Sequence, residues 1–443
     1  MRESRALAGS SSRRSEYGAL SLGTPPSPPS VVINEVERAR RSRRKGCPCW
    51  RPPSPWTLYG FVLLVGLAAA GERVAFKLAI DQMEPFRVFL ALVVNLGLVL
   101  VSGSIVLYKK ARRPSEITPA MHRFPRRSIL LIALLDTLSL VVMVVAGAST
   151  PPVLTVLFMQ ATLPFLLLLS SCPPSFPTCF ATAKRRERKR FHRAHWQGGG
   201  LILLGIGVAM APTVHVAFWH RQTDIGGEGG REEGGREGIN TLAYVLCCLP
   251  AAVSQLAKEQ AIIEFAQPMN FYYLNLLLGI YQFVLLLVLS PLTYRLQGLG
   301  MGWDPYGATD LGTAVSDLCL CLFTARSIPP GRYPIEPQCR YASLATFLYI
   351  LCTLLVTFAV NGVLASGTPQ MLYRTINGSV ALAFLALAVY SVNKWAWVSS
   401  YALNVFDFIG LFLVLAGMEW YHSQPEPDTE MLTHFSLEDG EFF

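Results

Sequence analysis

Residues 150–154 read TPPVL, and residues 368–372 read TPQML. Each stretch begins a long apolar run that soon meets a lone amide, Gln160 in the first run and Asn377 in the second. The apolar segments on either side of the two stretches also correspond, which predicts that one structural unit occurs twice. The alternative is chance, because proline fits the first turn of a helix and Thr-Pro is a common helix start.

Composition places the chain among membrane proteins. Of its 443 residues, 52% are hydrophobic and 15% are charged, against roughly 25% charged in soluble domains. The apolar residues form ten blocks, each long enough to cross about 30 Å of hydrocarbon as a helix. The sequence predicts an all-α polytopic membrane protein with ten transmembrane helices, near residues 56–78, 86–108, 128–149, 150–170, 197–217, 240–263, 270–290, 343–363, 366–390 and 400–420.

The duplication predicts two inverted halves. Five crossings in each half turn the second half over relative to the first, so we expect five-helix repeats at 56–217 and 240–420 around a central cavity. Inverted repeats recur in secondary transporters, which hold their solute near the midplane between the halves. The predicted remainder is a basic disordered tail at 1–55, a flexible Gly-rich loop at 218–239, a loop at 291–342 and an acidic tail at 421–443.

Basic residues are concentrated on one side of the predicted helices. The stretches 1–55, 109–127 and 171–196 hold 11, seven and seven Lys or Arg residues. The positive-inside rule therefore predicts that both termini are cytosolic. The run KRRERKR (184–190) has no interleaved aromatic residues, which favours contact with anionic lipid over nucleic acid.

Ionisable groups within the bilayer call for a structural or functional explanation, because inserting each one costs roughly 2.5–3.5 kcal/mol on insertion scales. Asp136 is the clearest case: it lies about eight residues into helix 3 and needs a partner, a proton or a wet cavity. Asp407 is expected at a similar depth in helix 10. The candidate substrate-cavity or proton-coupling residues are Lys77, Asp136, Gln160, Gln255, Lys258, Asn361, Arg374 and Asn377.

Several of these residues have simpler interpretations. Lys77, Lys258 and Arg374 would reach the membrane interface with their long side chains. Gln160 and Asn377 would serve as hydrogen-bonding residues between helices. The sequence has no nucleotide-binding loop, no hydrolase motif and no Cys or His spacing typical of a metal site. We therefore expect neither an enzyme nor a bound metal or cofactor.

Two further features concern location and the long loop. Tyr17 begins YGAL, which has the form of an endolysosomal sorting signal. Within 291–342, residues 310–327 space Leu311, Val315, Leu318 and Leu322 at helical intervals, which predicts a helix on the membrane surface or over a cavity mouth.

Three stretches resemble the chloroquine-resistance-transporter-like family of the drug/metabolite transporter superfamily. They are ERVAFKLA (72–79), LLDTLSLVVMVVAGASTPPVLTVLFMQATLPF (134–165) and LPAAVSQLAKEQAI (249–262), and the resemblance covers about 56–422. It implies a cavity walled by helices 1–4 and 6–9. It also implies transport of amino acids, short peptides, glutathione-like thiols and cationic drugs, driven by protons in the parasite members.

The resemblance also assigns roles and a location. Lys77 falls at the family's drug-determining position and Asp136 at its helix-3 aspartate. Cys321 and Cys339 match the outer of two disulfides in the family's lumenal loop, whereas the inner pair is missing here. A vacuolar or endolysosomal membrane is favoured, with the plastid envelope as the alternative. A non-transporting scaffold or receptor is the competing function, and the oligomeric state stays open.

Overall fold

The computed structural model describes residues 55–112, 117, 121–147, 150–171, 191–223, 240–265, 270–301, 311–324, 339–366, 369–392 and 403–423. These residues belong to one compact unit, Pro53–Phe443. The predicted tail 1–55 (apart from its last residue), the run 184–190, most of the loop 218–239 and nearly all of the acidic tail lie outside the described residues.

The described residues form helices and contain no strand. Three short 3-10 turns lie at Glu84–Phe86, Met121–Arg123 and Met159–Ala161. The helices are α1 Pro55–Gln82, α2 Arg87–Arg112, α3 Arg126–Gly147, α4 Pro152–Phe158, α5 Thr162–Ser171, α6 Arg193–Thr223, α7 at 240–246, α8 Cys248–Phe265, α9 Phe271–Met301, α10 Leu311–Cys319, α11 Cys339–Ser366, α12 Pro369–Val392 and α13 Val405–Tyr421.

Each predicted span coincides with a helix or a consecutive pair of helices. Among the described residues, seven stretches are long and apolar enough to cross a membrane: Arg87–Arg112, Arg126–Gly147, Pro152–Ser171, Arg193–Thr213, Asn240–Ala261, Tyr272–Arg295 and Cys339–Val360. The prediction of an all-helical, multi-pass membrane protein is thereby confirmed. That α1, α12 and α13 also cross the membrane remains a prediction, as does the inverted repeat.

Both repeated Thr-Pro stretches are helix starts. Pro151 adopts an extended backbone (φ −52°, ψ 140°), and Pro152 occupies the first position of α4. Proline is favoured there because that position has no intrahelical N–H bond to lose. The Thr150 hydroxyl donates to the Ala146 carbonyl (2.9 Å) at the end of α3. In the second stretch, α12 likewise begins at Pro369.

The predicted depth of Asp407 is wrong. Helix α13 starts at Val405 rather than near residue 400, so Asp407 lies in its first turn. The Asn404 backbone N–H donates to Asp407 Oδ2 (3.0 Å). A carboxylate at this position satisfies an N–H left free by the helix start, and it interacts favourably with the helix dipole.

A helix lies within the long loop where it is predicted, over the described residues 311–324. Helix α10 ends at Cys319 and continues as one π-helical turn, Leu320–Thr324. Leu318 and Leu322 are buried as their spacing predicts, but Val315 is exposed and Ala314 is buried in its place. The segment packs against Phe86 and its neighbours, where α1 ends and α2 begins.

Most large helix contacts join segments that are distant in sequence. Helix α1 packs on α11 and α12, α2 on α9, α3 on α8 and α9, α5 on α8, and α6 on α13. Helices α1 and α3 therefore pack mainly on helices that follow residue 240.

Candidate functional site

An ion pair joins α3 to α8. Lys258 Nζ lies 2.6 Å from Asp136 Oδ2, and the two side chains are 32% and 18% exposed. One turn before Asp136, the Ile132 carbonyl accepts a bond of 3.5 Å from the Ser254 hydroxyl of α8. The pair supplies the partner that Asp136 needed, because opposite charges at this distance offset the cost of removing each from water. The structure thus brings two predicted site residues together.

Lys77 is fully engaged and buried. Its Nζ donates to the carbonyls of Gly147 and Thr150, both at 2.9 Å. It also lies 2.8 Å from Asp81 Oδ1, one turn further along α1. An ammonium at the last carbonyls of a helix satisfies acceptors that lack an intrahelical donor. Lys77 therefore fixes α1 to the turn between α3 and α4.

Glu72 and Arg73 connect α1 to two other helices. The Thr353 hydroxyl of α11 donates to Glu72 Oε1 (2.9 Å). Arg73 Nη1 donates to the Ser379 hydroxyl of α12 (2.6 Å). Neither charged residue was among the candidate residues. Their adjacency explains why they bond to different partners, because neighbours on a helix point about 100° apart and so can reach two separate helices.

The remaining predicted residues are scattered. Gln160 is buried and donates to the Val156 carbonyl of its own segment (3.3 Å). Asn377 is also buried, and its Nδ2 has no acceptor among the described residues. Gln255 is exposed on α8. Arg374 forms a 3.2 Å pair with Glu419 in which both side chains are more than half exposed. The side chain of Asn361 lies outside the described residues.

A disulfide anchors the loop segment. Cys321 in the π turn is bonded to Cys339 at the start of α11, with their Cα atoms 4.8 Å apart. Both cysteines are buried, whereas Cys319 is free and exposed. The bond holds the π turn that follows α10 against the start of α11.

An apolar cavity of about 120 Å³ lies between α1, α2, α3, α9 and α11. It contains none of the predicted site residues. Its polar lining includes Asn95 and Gln282, whose amides form a 3.2 Å hydrogen bond between α2 and α9. Within the described residues, no three His, Cys, Asp or Glu side chains lie close enough to hold a metal ion.

Comparison with known proteins places this arrangement in a family. Residues 58–421 match the family model described as CRT-like, chloroquine-resistance transporter-like. The chain is 26% identical over 376 residues to "Chloroquine resistance transporter" of Toxoplasma gondii, covering 82% of this chain and 38% of that protein. It is 24% identical over 236 residues to "Crt homolog 1" of Dictyostelium discoideum, covering 53% of this chain and 44% of that protein.

The match to a third relative covers a larger share of that relative's length. "Crt homolog 3" of Dictyostelium discoideum is 22% identical over 397 residues, covering 84% of this chain and 74% of that protein. The chain spans less than half the length of the first two relatives. Because the family model matches most of the residues, including every helix that carries the polar contacts above, the chain belongs to the chloroquine-resistance transporter-like (CRT-like) family.

Proposed function

We propose that the protein is a secondary transporter of small organic solutes whose two five-helix halves, 56–217 and 240–420, rock about a shared cavity. The observation that carries the proposal is the Asp136–Lys258 pair, because it joins one proposed half to the other through two segments that are apolar enough to cross a membrane. Membership of a family named for transporters supports the same function.

The helix contacts support two inverted halves. Let α1 correspond to α7–α8, α2 to α9, α3 to α11, α4–α5 to α12, and α6 to α13. Exchanging the halves then turns the contact between α1 and α11 into the contact between α8 and α3. It likewise turns the contact between α1 and α12 into the contact between α8 and α5. All four of these contacts are present. The contacts α2–α9 and α6–α13 map onto themselves. A twofold relation between the halves produces this pattern.

Glycines at the α6–α13 crossing follow the same exchange. Gly198 meets Gly417, and Gly205 meets Gly410, so closely that an added Cβ would lie 2.7–2.8 Å from the partner's carbonyl oxygen. The glycines are seven residues apart on both helices. Pairing Gly198 with Gly410 and Gly205 with Gly417 as equivalents converts each contact into the other. The axis of the proposed twofold would therefore pass through this crossing.

Polar pairs occupy the two equivalent crossings. Asp136–Lys258 bridges α3 and α8, and Glu72–Thr353 bridges α1 and α11. Each pair connects the halves, so rocking must open one or both of them. Protonation of Asp136 on the acidic side would remove its charge and release Lys258, and deprotonation at neutral pH would restore the pair.

The candidate residues have different roles in the proposed mechanism. Lys258 and Asp136 form the coupling pair, and Gln255 lies one turn before Lys258 on α8. Gln160 and Asn377 would line the solute path, because each places an amide in an apolar segment. The contacts of Lys77 support an anchoring role instead of solute binding.

The proposed solutes are amino acids, short peptides and glutathione-like thiols, with cationic drugs as further candidates. We place both termini in the cytosol and the protein in a vacuolar or endolysosomal membrane, with the plastid envelope as the alternative. The relative from Toxoplasma gondii bears the name of a drug-resistance transporter, but this chain spans only 38% of it.

Uptake into proteoliposomes tests the proposal. The purified protein is reconstituted, a pH gradient is imposed, and uptake of glutathione, a dipeptide, arginine and a cationic quinoline is measured with and without the gradient. We expect gradient-dependent uptake of at least one solute, and at least tenfold lower dependence on the gradient in Asp136→Asn.

The matched control is Glu419→Gln, which removes a carboxylate from the exposed Arg374 pair. It is expected to transport like the unchanged protein. A non-transporting scaffold is the competing function. It would be favoured if correctly folded protein moved none of the four solutes, and an unchanged pH dependence in Asp136→Asn would remove this residue from the mechanism.

A further inference from the structure

Five exposed cations lie where α2 ends and α3 begins. They are Lys110, Arg112, Arg123, Arg126 and Arg127, and we call them the basic surface. None of these side chains forms an ion pair or a hydrogen bond with another described residue. All but one are arginines, whose planar guanidinium groups bind phosphate oxygens through paired hydrogen bonds. The basic surface is therefore suited to a ligand that carries phosphate.

The backbone under the basic surface is held in place by buried contacts. The 3-10 turn Met121–Arg123 and the residue after it bury Met121 and Phe124 in an apolar cluster with side chains of α2, α3, α8 and α9. A 2.6 Å hydrogen bond between the Tyr273 hydroxyl and His122 Nδ1 ties the same turn to α9. A surface that is already folded loses little conformational freedom when a ligand binds, which favours binding.

The faces of α2 and α3 that carry two of these cations are apolar and exposed. Lys110 lies three residues after Leu107, and Arg127 lies three residues before Leu130, so each cation continues a line of leucines on its helix. The exposed leucines of these lines are Leu100 and Leu107 on α2, and Leu130, Leu134 and Leu138 on α3. Both helices are long and apolar enough to cross a membrane, so these leucines are expected to face hydrocarbon. The cations at the ends of the two helices then lie at the level of the lipid headgroups.

We propose that the basic surface binds a phospholipid whose headgroup carries more than one phosphate, in the chemical class of the phosphoinositides. The phosphates contact the arginines, and the acyl chains lie along the exposed leucines of α2 and α3. A headgroup with a single phosphate would neutralise only part of this charge, whereas clusters of roughly four to eight basic residues beside a transmembrane helix are typical of phosphoinositide binding. The predicted orientation places the basic surface in the cytosolic leaflet. The site lies at the ends of two helices, and binding to it requires no transport.

The experiment compares ligands that differ in phosphate number and in acyl chains. The full-length protein in detergent is titrated with phosphatidylinositol bisphosphate, with phosphatidylserine that has the same acyl chains, and with soluble inositol trisphosphate, and bound molecules are counted by native mass spectrometry. We expect saturable binding of the bisphosphate lipid, at least about tenfold tighter than that of phosphatidylserine, because more basic residues contact its headgroup. Inositol trisphosphate should bind at least about tenfold more weakly than the lipid, because it has no chains to cover the leucines.

Variants with the same net charge locate the binding. The surface variant carries Lys110→Gln, Arg123→Gln and Arg127→Gln. The control variant carries Arg193→Gln, Arg295→Gln and Arg340→Gln, which are exposed cations of α6, α9 and α11. We expect the surface variant to bind the bisphosphate lipid at least about tenfold more weakly, and the control variant to change binding by less than about twofold. A second variant, Arg112→Gln with Arg126→Gln, removes the other two cations and should also weaken binding, so the test does not depend on the folding of one protein.

Three results would overturn the proposal. The first is that the folded surface variants bind the bisphosphate lipid like the unchanged protein or like the control variant. The second is that phosphatidylserine binds as tightly as the bisphosphate lipid, since one phosphate would then suffice. The third is that inositol trisphosphate binds as tightly as the lipid, which would assign the basic surface to a soluble phosphate compound. Because the readout is binding, failure of transport in proteoliposomes would not affect the result.

Discussion

At the scale of single residues, burial and partners decide what each charged group does. Lys77 and Lys258 are both lysines in apolar segments, but one is fully buried against backbone carbonyls and the other forms a partly exposed ion pair. The first arrangement is typical of an anchor. The Lys258 ion pair can separate without leaving backbone carbonyl groups unsatisfied.

Replacing Lys77 tests its anchoring role. Lys77→Met leaves the Gly147 and Thr150 carbonyls without their donor and Asp81 without its counter-ion. We expect the folded state to lose about 3 kcal/mol, seen as a lower melting temperature in detergent. Arg374→Met breaks only an exposed pair and should change stability by less than about 1 kcal/mol. If Lys77→Met melted like the unchanged protein, the anchoring role would be wrong.

His422 makes stability depend on pH. It lies just beyond α13, where burial and then the nearby His195 lower its pKa to about 4. The unfolded chain takes up this proton near pH 6.5, so the folded state loses stability as the pH falls from about 6.5 to about 4. The loss reaches at most roughly 3 kcal/mol at the acid end.

Thermal unfolding across this pH range measures the effect. His422→Phe removes the titrating group, so its melting temperature should fall less between pH 6.5 and pH 4 than that of the unchanged protein. An identical pH dependence in the two proteins would assign the acid sensitivity to other groups.

At the scale of helices, the α6–α13 crossing depends on the absence of side chains. A Cβ at Gly205 would lie 2.8 Å from the Gly410 carbonyl oxygen, whereas a Cβ at Gly207 meets nothing within 4 Å. Gly205→Leu should therefore separate the helices and cost at least about 2 kcal/mol. Gly207→Leu, on the same helix, should be neutral or slightly stabilising. Melting temperatures and the yield of folded protein distinguish these outcomes, and equal behaviour of the two variants would contradict the close crossing.

At the scale of the whole molecule, the proposed halves must move relative to one another. An added Cβ at Gly71 of α1 would lie 3.0 Å from Cys352 Sγ of α11, close enough for a Gly71→Cys variant to form a disulfide between the halves. Of the ten cysteines, Cys321, Cys339 and Cys352 are kept and seven are replaced by serine. Oxidation should lower transport at least tenfold, and reduction should restore it.

A cross-link within one half provides the control. Arg374→Cys with Glu419→Cys joins α12 to α13, both in the second half, and oxidation there should leave transport unchanged. The reductant is also applied to the background protein, since it can reach the Cys321–Cys339 bond. Continued transport through a fully formed Gly71→Cys cross-link would exclude rocking at the α1–α11 contact.

The sequence by itself determined the helical, membrane-spanning character of the protein and the approximate position of each helix. Apolar blocks and Thr-Pro starts are local signals, and the helix bounds follow them closely. The exception is α13, which starts at a cap formed by Asn404 and Asp407, so that Asp407 lies in the first turn of the helix and not eight residues into it. The sequence also marked Asp136 and Lys258 as residues that need an explanation.

Only the tertiary structure decided which groups meet. That Asp136 pairs with Lys258, that Lys77 binds the carbonyls between α3 and α4, and that Asn95 faces a cavity all depend on contacts between helices distant in sequence. Hydropathy reports only how apolar a segment is, because it averages over every face of a helix. The rotation of each helix and its choice of neighbour follow from packing across the whole molecule, which no local pattern encodes.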